Sequence, residues 1–178
     1  MPTLDVWSNS VTTSLRDLLS SALACTVLRD QWDTTKPVYI CSPWITDFTV
    51  FDNRYGQFDA LFPSMRSSNK IRFGDVLLNL SYRTEVRIIS KETEASRQFL
   101  TLRNFPNGNV FARMADDSLH EKGLLTPDFY LEGSMNLTYS GVNLNREKVS
   151  YHAGIDRPVI ERMANAYAEL NRRWQQLA

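Results

Sequence analysis

The sequence predicts an α/β fold, a mixed β-sheet flanked by helices on both faces, and three observations carry that reading. Short apolar runs rich in β-branched residues are interleaved with longer segments whose apolar residues recur at helical spacing. A β-α-β rhythm runs through the first part of the chain, and several strand-like runs follow one another quickly in the second. The length of 178 residues, 43% of them hydrophobic, fits one well-buried core and is short for two, so residues 1–178 are read as a single domain.

Each element follows from local pattern. Residues 11–28 place Val11, Leu15, Leu18, Leu19 and Ala22 at helical spacing behind a Ser8-Asn9-Ser10 cluster able to cap the helix. Residues 38–41, entered through Lys36-Pro37 and closed by Ser42-Pro43, read as a buried strand. Residues 44–72 are rich in aromatics without clear periodicity and read as a long irregular insertion, of the kind that often carries function. A short helix at 75–82, a strand at 84–90 and a helix at 91–104, with Ala95, Phe99 and Leu102 on one face, come next, and Pro106-Asn107-Gly108 ends that helix. Strands are expected at 109–114, 119–125, 129–131 and 147–152. The final helix, 158–177, carries Val159, Met163, Ala166, Leu170, Trp174 and Leu177 on one stripe, with Pro158 in its first turn.

Composition narrows the function classes. Twenty basic residues balance twenty acidic ones, which argues against a broadly basic nucleic-acid-binding surface, so an anionic substrate needs a local patch. Cys25 and Cys41 lack the spacing of a zinc site or a disulfide framework and are expected as buried free thiols. No basic segment followed by an apolar run opens the chain, and no apolar stretch approaches a membrane span, so a soluble, cytoplasmic protein without membrane contact is expected.

The chemistry concentrates in three short stretches, His120-Glu121-Lys122, Gly133-Ser134-Met135-Asn136 and Asn145-Arg146-Glu147. On a strand, residues two apart share a face, so His120 and Lys122 converge on one ligand while Glu121 turns away. Lysine supplies a fixed positive charge for a phosphoryl oxygen, and histidine acts as nucleophile or proton donor near neutral pH. Gly133 admits close backbone approach, Ser134 and Asn136 offer short hydrogen-bonding groups, and a helix begun near Leu137 would favour an anion at its N-terminus. An ordinary turn and helix cap is the competing reading of that stretch. Glu147 is expected to accept from the His120 ring and fix its tautomer. Asn145 is a substrate-binding candidate or a loop-capping residue, and Trp44, with Asp47 nearby, either meets substrate by stacking or packs in the interior.

These three elements in this order resemble the signature of the phospholipase D superfamily: His-x-Lys, a spacer, Gly-Ser-x-Asn, and often Asn-x-Glu. The resemblance is close over residues 119–148, and residues 38–44 are similar to the superfamily's first core strand. It implies a phospholipase D-like fold and a phosphodiesterase that needs no metal and no cofactor. One histidine attacks phosphorus to form a phosphohistidine, and a second protonates the leaving oxygen and then activates water. Carried over, His120 is that histidine, Lys122 and Asn136 are phosphate ligands, Ser134 is a hydrogen-bonding residue of the pocket, and Glu147 orients the ring. The aspartate usual five residues after the lysine is Pro127 here, with Asp128 one place later and the spacer to Gly133 one residue short.

The mechanism needs two such motifs and the chain has one, with only two histidines. His152 lies an odd offset of five from Glu147 on the same expected strand, facing the other way, and is read as structural. Short single-motif members of the superfamily form a twofold dimer, which implies a homodimer with a composite site to which His120 contributes twice. Ser42-Pro43-Trp44, the long aromatic insertion that follows and residues 133–138 further resemble the small phospholipase D-like proteins of bacterial DNA-modification and antiphage gene clusters. That resemblance implies nucleic acid as substrate and partner proteins of a defence or modification complex. A nuclease and a catalytically weak nucleic-acid-binding or assembly subunit are the two functions carried forward.

Overall fold

The computed structural model describes residues 3–8, 14–103, 105 and 109–178. In chain order they form β1 (Thr3–Trp7), α1 (Leu15–Val27), β2 (Val38–Cys41), β3 (Thr49–Asp52), a 3-10 turn at Pro63–Met65, β4 (Lys70–Arg72), α2 (Phe73–Ser81), β5 (Val86–Lys91), α3 (Glu94–Arg103), β6 (Val110–Ala115), β7 (Gly123–Leu125), β8 (Phe129–Gly133), α4 (Tyr139–Asn143), β9 (Lys148–Ala153) and α5 (Arg157–Gln176). The principal sheet has seven strands in the order β1-β9-β8-β7-β2-β5-β6, and β3 and β4 pair separately. β2, β5 and β6 run parallel, whereas β7, β8, β9 and β1 join by antiparallel pairing. The expected α/β class with a mixed sheet and helices on both faces is what the structure has.

Alternation along the strands builds the two faces. Val38 and Ile40 of β2 join the core beneath α1 and α2, while Tyr39 and Cys41 point to α5. A strand covered on both sides must be apolar throughout, which is why 38–41 reads as a continuous run. α5 starts with Pro158 in its first turn and buries Val159, Ala166, Leu170 and Trp174. The Trp174 ring is flanked by Arg113 and Arg87, with guanidinium carbons 4.2 and 5.4 Å from its centroid.

Several local expectations are corrected. α1 begins at Leu15 with Ser14 as its cap, accepting from the Asp17 amide at 3.0 Å; residues 9–13 lie outside the described residues. Ser8 instead exchanges hydrogen bonds with the backbone of Glu147. Cys25 is exposed, on the side of α1 turned away from Leu19, Leu23 and Val27, and only Cys41 is buried. On α3 the buried residues are Ser96 and Phe99, with Leu100 packed partly against the core, and Leu102 is 81% exposed on the side of the helix turned away from them. The turn expected at Pro106-Asn107-Gly108 is outside the described residues.

Residues 44–72 are ordered around their aromatics. Phe51 packs on Phe58 and Phe62 with centroids 4.6 and 5.5 Å apart, and Phe48 stacks on Phe73 at 5.1 Å. β3 and β4 lie within this stretch, with a register shift between Thr49 and Phe51 that breaks the period-2 signal. β1 had no place in the sequence reading.

Candidate active site

Strand directions bring all three motif stretches to one end of the sheet. There the C-terminal ends of β2, β5, β6 and β8 meet the N-terminal ends of β7 and β9. The carboxyl edge of parallel strands, where the order reverses, is the usual ligand crevice of open α/β sheets. β7 starts at Gly123, so His120 and Lys122 precede the strand expected to contain them. The Lys122 backbone is still tied in, since its carbonyl accepts from the Gly133 amide at 3.2 Å. The Lys122 ammonium donates to the His120 carbonyl at 2.6 Å. An ammonium has three donors, so two remain for a ligand. His120 is exposed.

Gly133 ends β8 with φ +150°, and a Cβ there would stand 2.2 Å from the Lys148 carbonyl oxygen. Only glycine lets the chain turn against β9 at this point. A Cβ on Gly141 would likewise meet the Asn136 carbonyl oxygen at 2.2 Å, so the two glycines clamp 134–136 between β9 and α4. α4 is a single turn capped by Thr138, whose hydroxyl accepts from the Gly141 amide at 3.0 Å. It therefore lacks the long dipole and some of the free amides that an anion would use, contrary to the expectation for this helix.

Within the clamp, Ser134 Oγ donates to Glu147 Oε2 at 2.5 Å and accepts from the Lys148 amide at 3.0 Å. Asn145 Nδ2 donates to Glu147 Oε1 at 3.3 Å. The buried Glu147 carboxylate is thus held by Ser134 and Asn145, and the expected hydrogen bond from the His120 ring is not among those of the described residues. Asn136 Oδ1 is fully buried and has no hydrogen-bond partner.

Ser42 connects this centre to the segment leaving β2. Its Oγ donates to the Trp44 carbonyl at 2.7 Å and accepts from the Leu137 amide at 3.1 Å, while the Thr46 amide donates to the Leu137 carbonyl at 3.0 Å. Trp44 stands beside the motif, 43% exposed, with the Lys91 ammonium 5.7 Å from its ring centroid. Lys91 ends β5 and donates to the Asp117 carbonyl at 2.6 Å. Sequence reasoning missed Ser42, Ser8 and Lys91; the only signal for Ser42 was a small hydroxyl where an apolar strand stops. Asp47 is structural, accepting from the Gly74 amide at 3.0 Å and from Arg103. Asp128, offset from the motif aspartate, pairs with Arg29 and braces the hairpin between β7 and β8.

His152 faces α5, away from the cluster. Its ring lies 3.0 Å from both Thr3 Oγ1 and Glu132 Oε1. Burial raises the Glu132 pKa, and the hydrogen bond and charge of Arg162 outweigh it, so the carboxyl is held below its usual value. Burial, with the Glu121 charge beside it, pushes the Cys41 thiol up to about 12. Among the described residues no group of three or more His, Cys, Asp or Glu side chains is gathered to hold a metal ion, and no helix is long and apolar enough to cross a membrane.

No family model matches the sequence, and no curated protein does. Solved structures do. Nuc from Salmonella typhimurium, a phospholipase D family member, aligns over 98% of this chain and 92% of its own with a TM-score of 0.59 at 15% identity. NucT from Helicobacter pylori aligns over 96% of both chains with a TM-score of 0.53 at 14% identity. Polyphosphate kinase from Porphyromonas gingivalis aligns over 94% of this chain and 26% of its own, with a TM-score of 0.54 at 9% identity. The chain has the phospholipase D fold.

Proposed function

We propose, from that fold and from the convergence of the three motif stretches at one end of the sheet, that this protein is a phospholipase D-type phosphodiesterase acting on nucleic acid without a metal. The observation that carries the reading is the meeting of the three stretches at one end of the sheet, where the Gly133 amide donates to the Lys122 carbonyl and the Ser134 hydroxyl to the Glu147 carboxylate, with His120 exposed beside them. Lys122 and Asn136 hold the phosphate oxygens, Ser134 and Asn145 fix Glu147, and Trp44 stacks on a base or walls the site.

The site is completed by a second copy of the chain. A ring nitrogen of one His120 attacks phosphorus while the bond to the leaving oxygen breaks, and the partner's His120 gives that oxygen its proton. The partner's neutral ring then takes a proton from water, the water oxygen bonds to phosphorus, and the P–N bond breaks to restore the first histidine. Trp44, Tyr139 and Leu144, exposed at the same end, offer the apolar surface that an isologous partner would cover. The cellular setting in this reading is the cytoplasm of a bacterium, in a defence or DNA-modification complex; it rests on the sequence resemblance alone.

One observation favours the second reading, a catalytically weak binding or assembly subunit: Glu147 is satisfied without His120. Incubating labelled single- and double-stranded DNA and RNA with the protein in EDTA, wild type beside His120→Ala, separates the two. Metal-free cleavage lost in the variant supports the enzyme, and intact binding without cleavage supports the subunit.

A further inference from the structure

A cavity of about 330 Å³ opens beside the candidate active site, between the start of α1 and the loop that follows α4. Its walls include Ser8, Ser14, Arg16, Asn143, Asn145 and Arg146, and among the described residues no carboxylate lines it. Two of these residues also build the motif cluster. Asn145 donates to the Glu147 carboxylate and Ser8 accepts from the Glu147 amide, so the cavity borders the motif cluster.

Many of the chain's guanidinium groups are neutralised by carboxylates, as in the pairs Arg29 with Asp128, Arg87 with Glu85 and Arg103 with Asp47, whereas Arg83 and Arg113 donate to backbone carbonyls. Arg16 and Arg146 both line the cavity, and neither is among the ion pairs formed by the described residues. The planar donor forks of two guanidinium groups on one concavity fit phosphate oxygens. A chain neutral overall that binds a polyanion needs such a local patch.

We propose that Arg16 and Arg146 form a second phosphate subsite, which holds a backbone phosphate of a nucleic-acid strand flanking the one cleaved at His120. This rests on the phosphodiesterase reading and deepens it, because a subsite beyond the scissile group selects polymers over small phosphodiesters. Binding energy from the flanking phosphate would be spent on holding the strand, leaving the chemistry of a substrate that never reaches the cavity unchanged.

The test compares wild type, Arg16→Ala, Arg146→Ala and their double variant, with Arg157→Ala as a control. Arg157 is an exposed residue of α5, paired with Glu161, and its loss removes the same charge elsewhere. Fluorescence anisotropy with a fluorescein-labelled oligonucleotide over a salt series should show the slope of log affinity against log salt falling by about 1 for each cavity arginine removed, and unchanged for the control. Hydrolysis of bis(p-nitrophenyl) phosphate should be unaffected by any of the four changes, while KM for the oligonucleotide rises in the cavity variants. Equal slopes for the wild type and the double variant, or equal losses in the control, would overturn the subsite. Wild type that binds the oligonucleotide with the expected slopes yet hydrolyses neither substrate would leave the subsite standing and remove the enzyme reading.

Discussion

Ser134 and Glu147 are joined by a 2.5 Å hydrogen bond that ties the turn after β8 to the residue before β9. Because Glu147 is buried, this bond and the one from Asn145 take the place of the water it gave up. Ser134→Ala should therefore cost about 1.5–3 kcal/mol, the usual worth of a hydrogen bond to a charged group. A lower urea midpoint with an unchanged m-value is the expected readout. The variant also frees Glu147 for the His120 ring, so loss of stability without loss of activity is the outcome for a purely bracing serine.

Gly133 should tolerate no side chain. With φ at +150° and a Cβ placed 2.2 Å from the Lys148 carbonyl oxygen, Gly133→Ala has to part β8 from β9. We expect a loss of roughly 3 kcal/mol, at the top of the ordinary range for one substitution, measured by denaturant unfolding. Gly154, whose Cβ would meet nothing within 4 Å but which has φ +118°, should cost less when changed to alanine.

The two histidines should separate stability from function. His152 is buried and bridges Thr3 of β1 to Glu132 of β8, so His152→Ala should lower stability by about 1–3 kcal/mol and leave activity per folded molecule intact. His120 is exposed and carries no such bridge, so His120→Ala should leave the melting temperature unchanged and abolish cleavage. A fall in stability for His120→Ala would show that the ring is bound to something inside the fold.

The cysteines should differ in reactivity. Cys25 is exposed, and Cys41 is buried with its thiol pushed up to about 12, so a thiol reagent near pH 8 should modify one cysteine in the native protein and two in urea. The raised value also has a sign for stability. Unfolded Cys41 ionises near its ordinary 9.0 and folded Cys41 does not, so its contribution is complete below pH 9 and is lost as pH rises towards 12. Cys41→Ala should flatten that part of the alkaline stability profile.

How far the sequence can be read depends on whether local pattern or distant pairing decides an element. β2 and α5 were legible because their apolar residues follow the period of the surface they bury, continuous for a strand covered twice and a single stripe for a helix. β1 was not, since it buries only Val6 and exists through its pairing with β9, far away in the chain. The motif residues were legible by type and spacing, whereas their hydrogen bonds were not. His120 and Lys122 sit in a stretch with strand-like alternation that runs past the end of the sheet, where β2 stops at Cys41 and β8 at Gly133. That offset leaves Glu147 to Ser134, a partner 13 residues away that no periodicity announces.

Trapping the covalent intermediate tests the central claim most directly. Protein mixed with a labelled oligonucleotide in EDTA, quenched in alkali where a phosphohistidine survives, and weighed intact should show one adduct for every two chains, mapped to the peptide containing His120 and absent from His120→Ala. An adduct on any other residue, or cleavage that His120→Ala leaves intact, would contradict the account.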